Sequence, residues 1–146
     1  MTAATPEYDT ENIFAQILRG EMVCHKVYED EHTFVFMDIM PRVDGHTLVI
    51  PKAPSRNILD ARPEDLAHLI ATVQKIARAA KSAFSADGVT VQQFSEPAGG
   101  QVIFHTHVHI LPRHDGVDLW PAGIMGDQDK IAEHAVLLRD EVTRLG

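Results

Sequence analysis

Two hydrophobic periods alternate along this chain, and the places where one gives way to the other mark its elements. From Thr10, the run TENIFAQILRG puts Phe14, Ile17 and Leu18 on one helical face and stops at Gly20. Two short strands are predicted near 23–29 and 33–38, with the acidic EDEH between them as a turn. The turn-forming MPRVDG leads into a third strand, HTLVIPK. A long helix follows over 63–84, with Pro63 in the first position, Glu64 and Asp65 at the positive end of the dipole, and basic residues late. Leu66, Leu69, Ile70, Val73, Ile76, Ala77, Ala80 and Phe84 give it a broad apolar face. Ala86-Asp87-Gly88 breaks it. A strand GVTVQQFS, a loop EPAGG and a histidine-bearing strand within GGQVIFHTHVHILPR come next, and Pro112 should end the pairing there. A loop carrying Trp120-Pro121 precedes a last helix from about Gln128 to Leu145. The order predicts an α+β fold, a mostly antiparallel sheet with helices on one side.

Composition narrows this picture in three ways. The 146 residues suit one domain with its own core, expected over 11–146, with 1–10 as a disordered N-terminal tail. Cys24 is the single cysteine, so no internal disulfide forms, and a reducing, cytoplasmic setting is expected. The opening MTAATPEYDT has neither the basic start nor the apolar stretch of a signal peptide, and no apolar run nears the ~20 residues of a membrane span. The net charge of −8 comes with no basic stripe, which argues against polymeric nucleic acid as a ligand. A small anion remains compatible.

His105, His107 and His109 carry the candidate chemistry. On a strand they share one face, and Thr106, Val108 and Ile110 share the other. A plain solvent face would mix Thr, Lys, Glu and Ser rather than repeat one titratable ring. A shared metal ion fits poorly, because the outer two rings start ~13 Å apart on a straight strand and zinc holds imidazole nitrogen at ~2 Å. Nucleophilic catalysis on phosphorus explains more. Neutral imidazole is a good nucleophile, acid or base near pH 7, and Gly99-Gly100 would let a phosphate approach the backbone.

HTHVHIL, with GGQ before it and PR after it, resembles the motif of the histidine triad (HIT) nucleotide-binding proteins. NIFAQILRGE, VYEDE, FMDIMP, GHTLVIPK and LWPAG extend the resemblance, in order, over about residues 11 to 123. The resemblance implies a five-stranded antiparallel sheet, a homodimer, and hydrolysis or transfer at the α-phosphate of a purine nucleotide or nucleotide conjugate. It makes His107 the nucleophile that forms a covalent nucleotidyl-histidine, His105 its support from behind, and His109 the contact to phosphate and leaving group. His46 matches a fourth histidine beside the triad. Asp38 matches the carboxylate that takes the ribose hydroxyls, and Ile39, Phe14, Ile17 and Met22 match the apolar slot for the base. Ser95, Gly100, Gln101 and Val102 fall on the phosphate side. The chain departs from the pattern where it has Phe94-Ser95 in place of an asparagine pair, and Val102 in place of a hydroxyl residue. Zinc-binding relatives carry cysteines in the first helix; TENIFAQ has none, so no metal and no other cofactor is expected. The implied activity is that of a Hint-like purine nucleoside phosphoramidase. The alternatives are a dinucleoside polyphosphate hydrolase and a nucleotide-binding interaction protein with residual catalysis.

Overall fold

The sequences TFVFM and TLVIP each lack a polar face, and both strands are buried along their whole length: β2 (Thr33–Met37) and β3 (Thr47–Pro51). They pair antiparallel at the centre of the sheet in the computed structural model, which describes residues 6–146. β1 (Lys26–Glu29) borders β2, β5 (Val108–Arg113) borders β3, and β4 (Gly88–Gln92) closes the far edge, giving the order β1-β2-β3-β5-β4. All four pairings are antiparallel.

Strands buried on both faces need cover on both. On one face Val35, Val49, Val108 and Ile110 pack under α2 (Pro63–Ala83) and α3 (Gln128–Leu145), through Leu69, Val73, Ile76, Ile131 and Leu138. On the other, Phe34, Phe36, Leu48 and Ile50 meet Phe14 of the short helix α1 (Ile13–Leu18). The helices therefore lie on both faces of the sheet, not on one as the chain's pattern suggested. Ile70, grouped above with the apolar face of α2, is 60% exposed.

Strand ends differ from the predicted ones for local reasons. β1 starts at Lys26, since Val23 is 99% exposed and the ladder already slips between Lys26 and Tyr28. β4 stops at Gln92. β5 begins only at Val108, because the Thr106 amide donates to the Ser55 carbonyl (2.9 Å) instead of a neighbouring strand. Pro112 does not end the pairing; it stands opposite Val89 of β4. β5 pairs with β3 only as far as Ile110, so on that side Pro112 faces no partner that needs its missing N–H.

Candidate functional site

Two turns deliver the site residues. Gly45 has φ +86, and a Cβ there would come within 2.7 Å of the Phe84 ring, so only glycine fits the bend that presents His46 at the mouth of β3. The Asp38 amide donates to the His46 carbonyl (3.0 Å), holding the end of β2 against it. The loop before α3 braces the same corner, with the Gly126 amide on the Ile39 carbonyl (2.9 Å) and Arg42 and Trp120 bonded to each other.

Fixed donors and acceptors set the tautomer of each histidine. His107 Nδ1 lies 2.6 Å from the His105 carbonyl, which can only accept, so Nδ1 carries the hydrogen and Nε2 keeps the free lone pair. His105 Nε2 meets the Pro51 carbonyl at 2.9 Å, so that nitrogen is the donor, and Nδ1 accepts from the Tyr8 hydroxyl at 2.6 Å. The Arg42 amide donates to His46 Nδ1 (3.0 Å). The hydrogen of His46 is therefore on Nε2, donated to His109 Nδ1 (2.9 Å) with Asp38 Oδ2 at 3.4 Å. His109 is left with a hydrogen on Nε2. The arrangement offers one nucleophilic nitrogen on His107 and one N–H donor on His109, with ring centroids 5.0 Å apart.

Burial keeps these rings neutral. Desolvation lowers the pKa of His105 and His46 to about 4, and of His109 to about 3, with neighbouring His107 adding to each shift. His107 is lowered for the same first reason. Asp38 moves the other way, raised by desolvation to about 6 against one backbone hydrogen bond from Met40.

Asp38, His46 and His109 offer three ligand atoms within 4.8 Å of one another, the one such cluster that includes a triad residue among the described residues. A cation there would need the lone pair of His46 Nε2. The Arg42 amide forces the hydrogen onto that nitrogen, so the donor set suits a hydrogen-bonded chain better than an ion.

Of the apolar residues expected around the base, Phe14 is buried with its ring edge-on to His107 at 4.9 Å, and Ile17 packs half-buried beside that cluster. Met22 and Ile39 are exposed. The phosphate side differs most from expectation. Gln101 is 4% exposed and both polar atoms of its side chain are hydrogen-bonded within the protein. Its Nε2 donates to the Arg56 and Ile103 carbonyls (2.7 and 3.0 Å), and its Oε1 accepts from Asn57 (3.0 Å) and the Glu96 amide (2.8 Å). It braces the loop rather than reaching into the site. The amides of Gly99, Gly100 and Gln101 also turn inward, to the carbonyls of Glu96, Pro97 and Glu96. Ser95 donates to Gln93, and Val102 is 82% exposed.

Tyr8 and the Arg56–Asn57–Glu96 network lie outside the site that the sequence leads one to expect. Tyr8 falls within the expected disordered tail; residues 1–5 of that tail lie outside the described residues, but Tyr8 is half-buried against His105. The capping residues Asp9 and Asn12 just after it were the available signal. Arg56 forks onto Glu96 (2.7 and 3.1 Å) and lies 4.0 Å over the Phe104 ring, stiffening the segment that leads to His105.

The HIT domain family model matches residues 19–116. A solved Hit-like protein from Bartonella henselae, described as involved in cell-cycle regulation, is 48% identical with a TM-score of 0.88, over 92% of this chain and 99% of that one. A zinc-bound histidine triad protein of Mycobacterium smegmatis is 35% identical with a TM-score of 0.82, over 93% and 96%. The adenylylsulfatase HINT3 of Arabidopsis thaliana is 33% identical over 91% of this chain, which spans only 64% of that relative's length.

Proposed function

This chain belongs to the HIT family, and from that premise we propose that it hydrolyses nucleotide conjugates at the α-phosphate through a nucleotidyl intermediate on His107. The observation that carries the reading is the hydrogen bond from His107 Nδ1 to the His105 carbonyl, which leaves Nε2 as a neutral, unprotonated nucleophile. Nε2 attacks phosphorus and forms the P–N bond. The bond to the leaving group breaks with its electron pair on the departing nitrogen or oxygen, which accepts a hydrogen bond from the Nε2–H of His109 and takes up one proton from solvent. Water then attacks the same phosphorus and gives one of its protons back to solvent, the P–N bond to His107 returns its pair to Nε2, and the nucleoside monophosphate leaves with the hydroxyl.

Purine nucleoside phosphoramidates are the proposed substrates, and Asp38 is the proposed ribose contact. A second reading is favoured by Val102, which supplies no hydroxyl to a leaving amine: conjugates whose leaving group departs as a stable anion. Dinucleoside polyphosphates fall in this class, and so does the adenylyl sulfate for which the Arabidopsis relative is named. The proposed assembly is a homodimer in the cytoplasm, in keeping with the resemblance; no helix among the described residues is long and apolar enough to cross a membrane.

The test is a substrate panel of phosphoramidates, dinucleotides and adenylyl sulfate, run beside His107→Ala with intact-mass detection of the adduct. His107→Ala should lose the adduct and most turnover, a loss that reaches ~10⁶ in kcat when a covalent nucleophile is removed, while nucleotide binding survives. Near-normal turnover in His107→Ala, with activity abolished by His105→Ala or His109→Ala, would reverse the roles.

A further inference from the structure

We propose that Tyr8 is a positioning residue for the triad, its hydroxyl locking the ring of His105 and, through it, the carbonyl that orients His107. The proposal rests on the reading of His107 as nucleophile.

The direction of the Tyr8 hydrogen bond is forced. Pro51 presents a carbonyl to His105 Nε2, so the hydrogen of the neutral ring is there, and Nδ1 is a lone pair that only a donor can satisfy. Tyr8 Oη is that donor, at 2.6 Å. His105 has no exposed surface, so no solvent water replaces the hydroxyl without rearrangement. Both ring nitrogens are thus clamped, one to β3 and one to the segment ahead of α1. The carbonyl of the same residue accepts from His107 Nδ1 at 2.6 Å. Residue 106 is tied down on its other flank, its amide on the Ser55 carbonyl. The loop that carries the nucleophile is outside the sheet ladder, and these bonds stand in for the missing strand neighbours.

Tyr8 can act as a clamp because the segment that directly follows it is anchored. Asp9 Oδ1 accepts from the Glu11 amide (2.8 Å), the Asp9 carbonyl from Asn12 Nδ2 (2.7 Å), and Asn12 Oδ1 caps α1 at the Ala15 amide (2.9 Å). Arg19 from the end of α1 reaches back to the Thr10 carbonyl (2.6 Å). Phe14 of the same helix stands edge-on to His107, so one structural unit grips both rings from two directions.

Tyr8→Phe keeps the ring and its packing and deletes only the hydroxyl. The wild type and the variant are compared by ¹⁵N NMR of the His105 imidazole and by single-turnover labelling of His107 with a nucleoside phosphoramidate across pH. In Tyr8→Phe the Nδ1 resonance should move to that of a nitrogen with no donor, and the labelling rate should fall about five- to tenfold, the size of one neutral hydrogen bond. KM should stay level. The acid limb of the rate should move to higher pH, since the neutral ring loses the donor that favoured it. An unchanged Nδ1 resonance, or a changed one with an unchanged rate and acid limb, overturns the proposal; so does a raised KM at constant kcat, which would make Tyr8 a substrate contact. A wild type that never labels His107 sinks the nucleophile reading itself, whereas normal labelling in both proteins sinks only the role of Tyr8.

Discussion

Replacing Gln101 with alanine separates a buried brace from a phosphate ligand. The side chain makes four hydrogen bonds between 2.7 and 3.0 Å, to Arg56, Ile103, Asn57 and Glu96, and it is almost fully enclosed. Truncation strands two carbonyl acceptors, an amide N–H and half of the Asn57 amide in a place where water enters only by loosening the loop. At about 1 kcal/mol for each lost bond, the cost is about 3–5 kcal/mol. A chain of this length loses about 2–4 °C of Tm per kcal/mol, so the midpoint should fall by about 6–20 °C. Differential scanning calorimetry measures this directly, and a Gln101→Met partner fills the volume without restoring any hydrogen bond. Both variants should be destabilised, with KM for a nucleotide conjugate changed little at a temperature where each is folded. A Tm within about 2 °C of wild type, accompanied by a large rise in KM, would refute the reasoning and return Gln101 to the phosphate.

Two further outcomes follow from the charged and neutral states of the site. Asp38→Asn should weaken ribonucleotides about 10- to 150-fold more than their 2′-deoxy counterparts, the range of one charge-assisted hydrogen bond, and equal losses in a titration of both sugars would remove the ribose role. Stability should fall as pH drops below 6.5: His105 and His46 titrate at about 4 and His109 at about 3 in the folded chain, so between 6.5 and those values the unfolded chain binds more protons. Asp38, raised to about 6, opposes this between pH 6 and 3.8 but is one group against three. Urea midpoints at pH 7.5 and pH 5 check the sign, and a higher midpoint at pH 5 would contradict it.

The alternation of apolar residues was enough to read out the element order, the antiparallel sheet and the span of α3, because periodicity is a local property written into neighbouring residues. Repetition of one residue type brought out His105, His107 and His109, and motif order brought in Asp38 and His46. Other features depended on partners far away in the chain. β5 starts late because Thr106 bonds to Ser55, 51 positions earlier, a choice that HTHVHIL does not encode. Gln101 looked available beside two glycines until Arg56 and Asn57, 45 and 44 positions before it, took its amide. Tyr8 belonged to a polar opening with no periodicity, and its bond to His105 spans 97 positions. By itself the sequence determined which elements form and which residues are able to do chemistry. Only the tertiary structure decided which nitrogen of each ring carries its hydrogen, because a tautomer is set by whatever donor or acceptor the fold brings to the ring's other side.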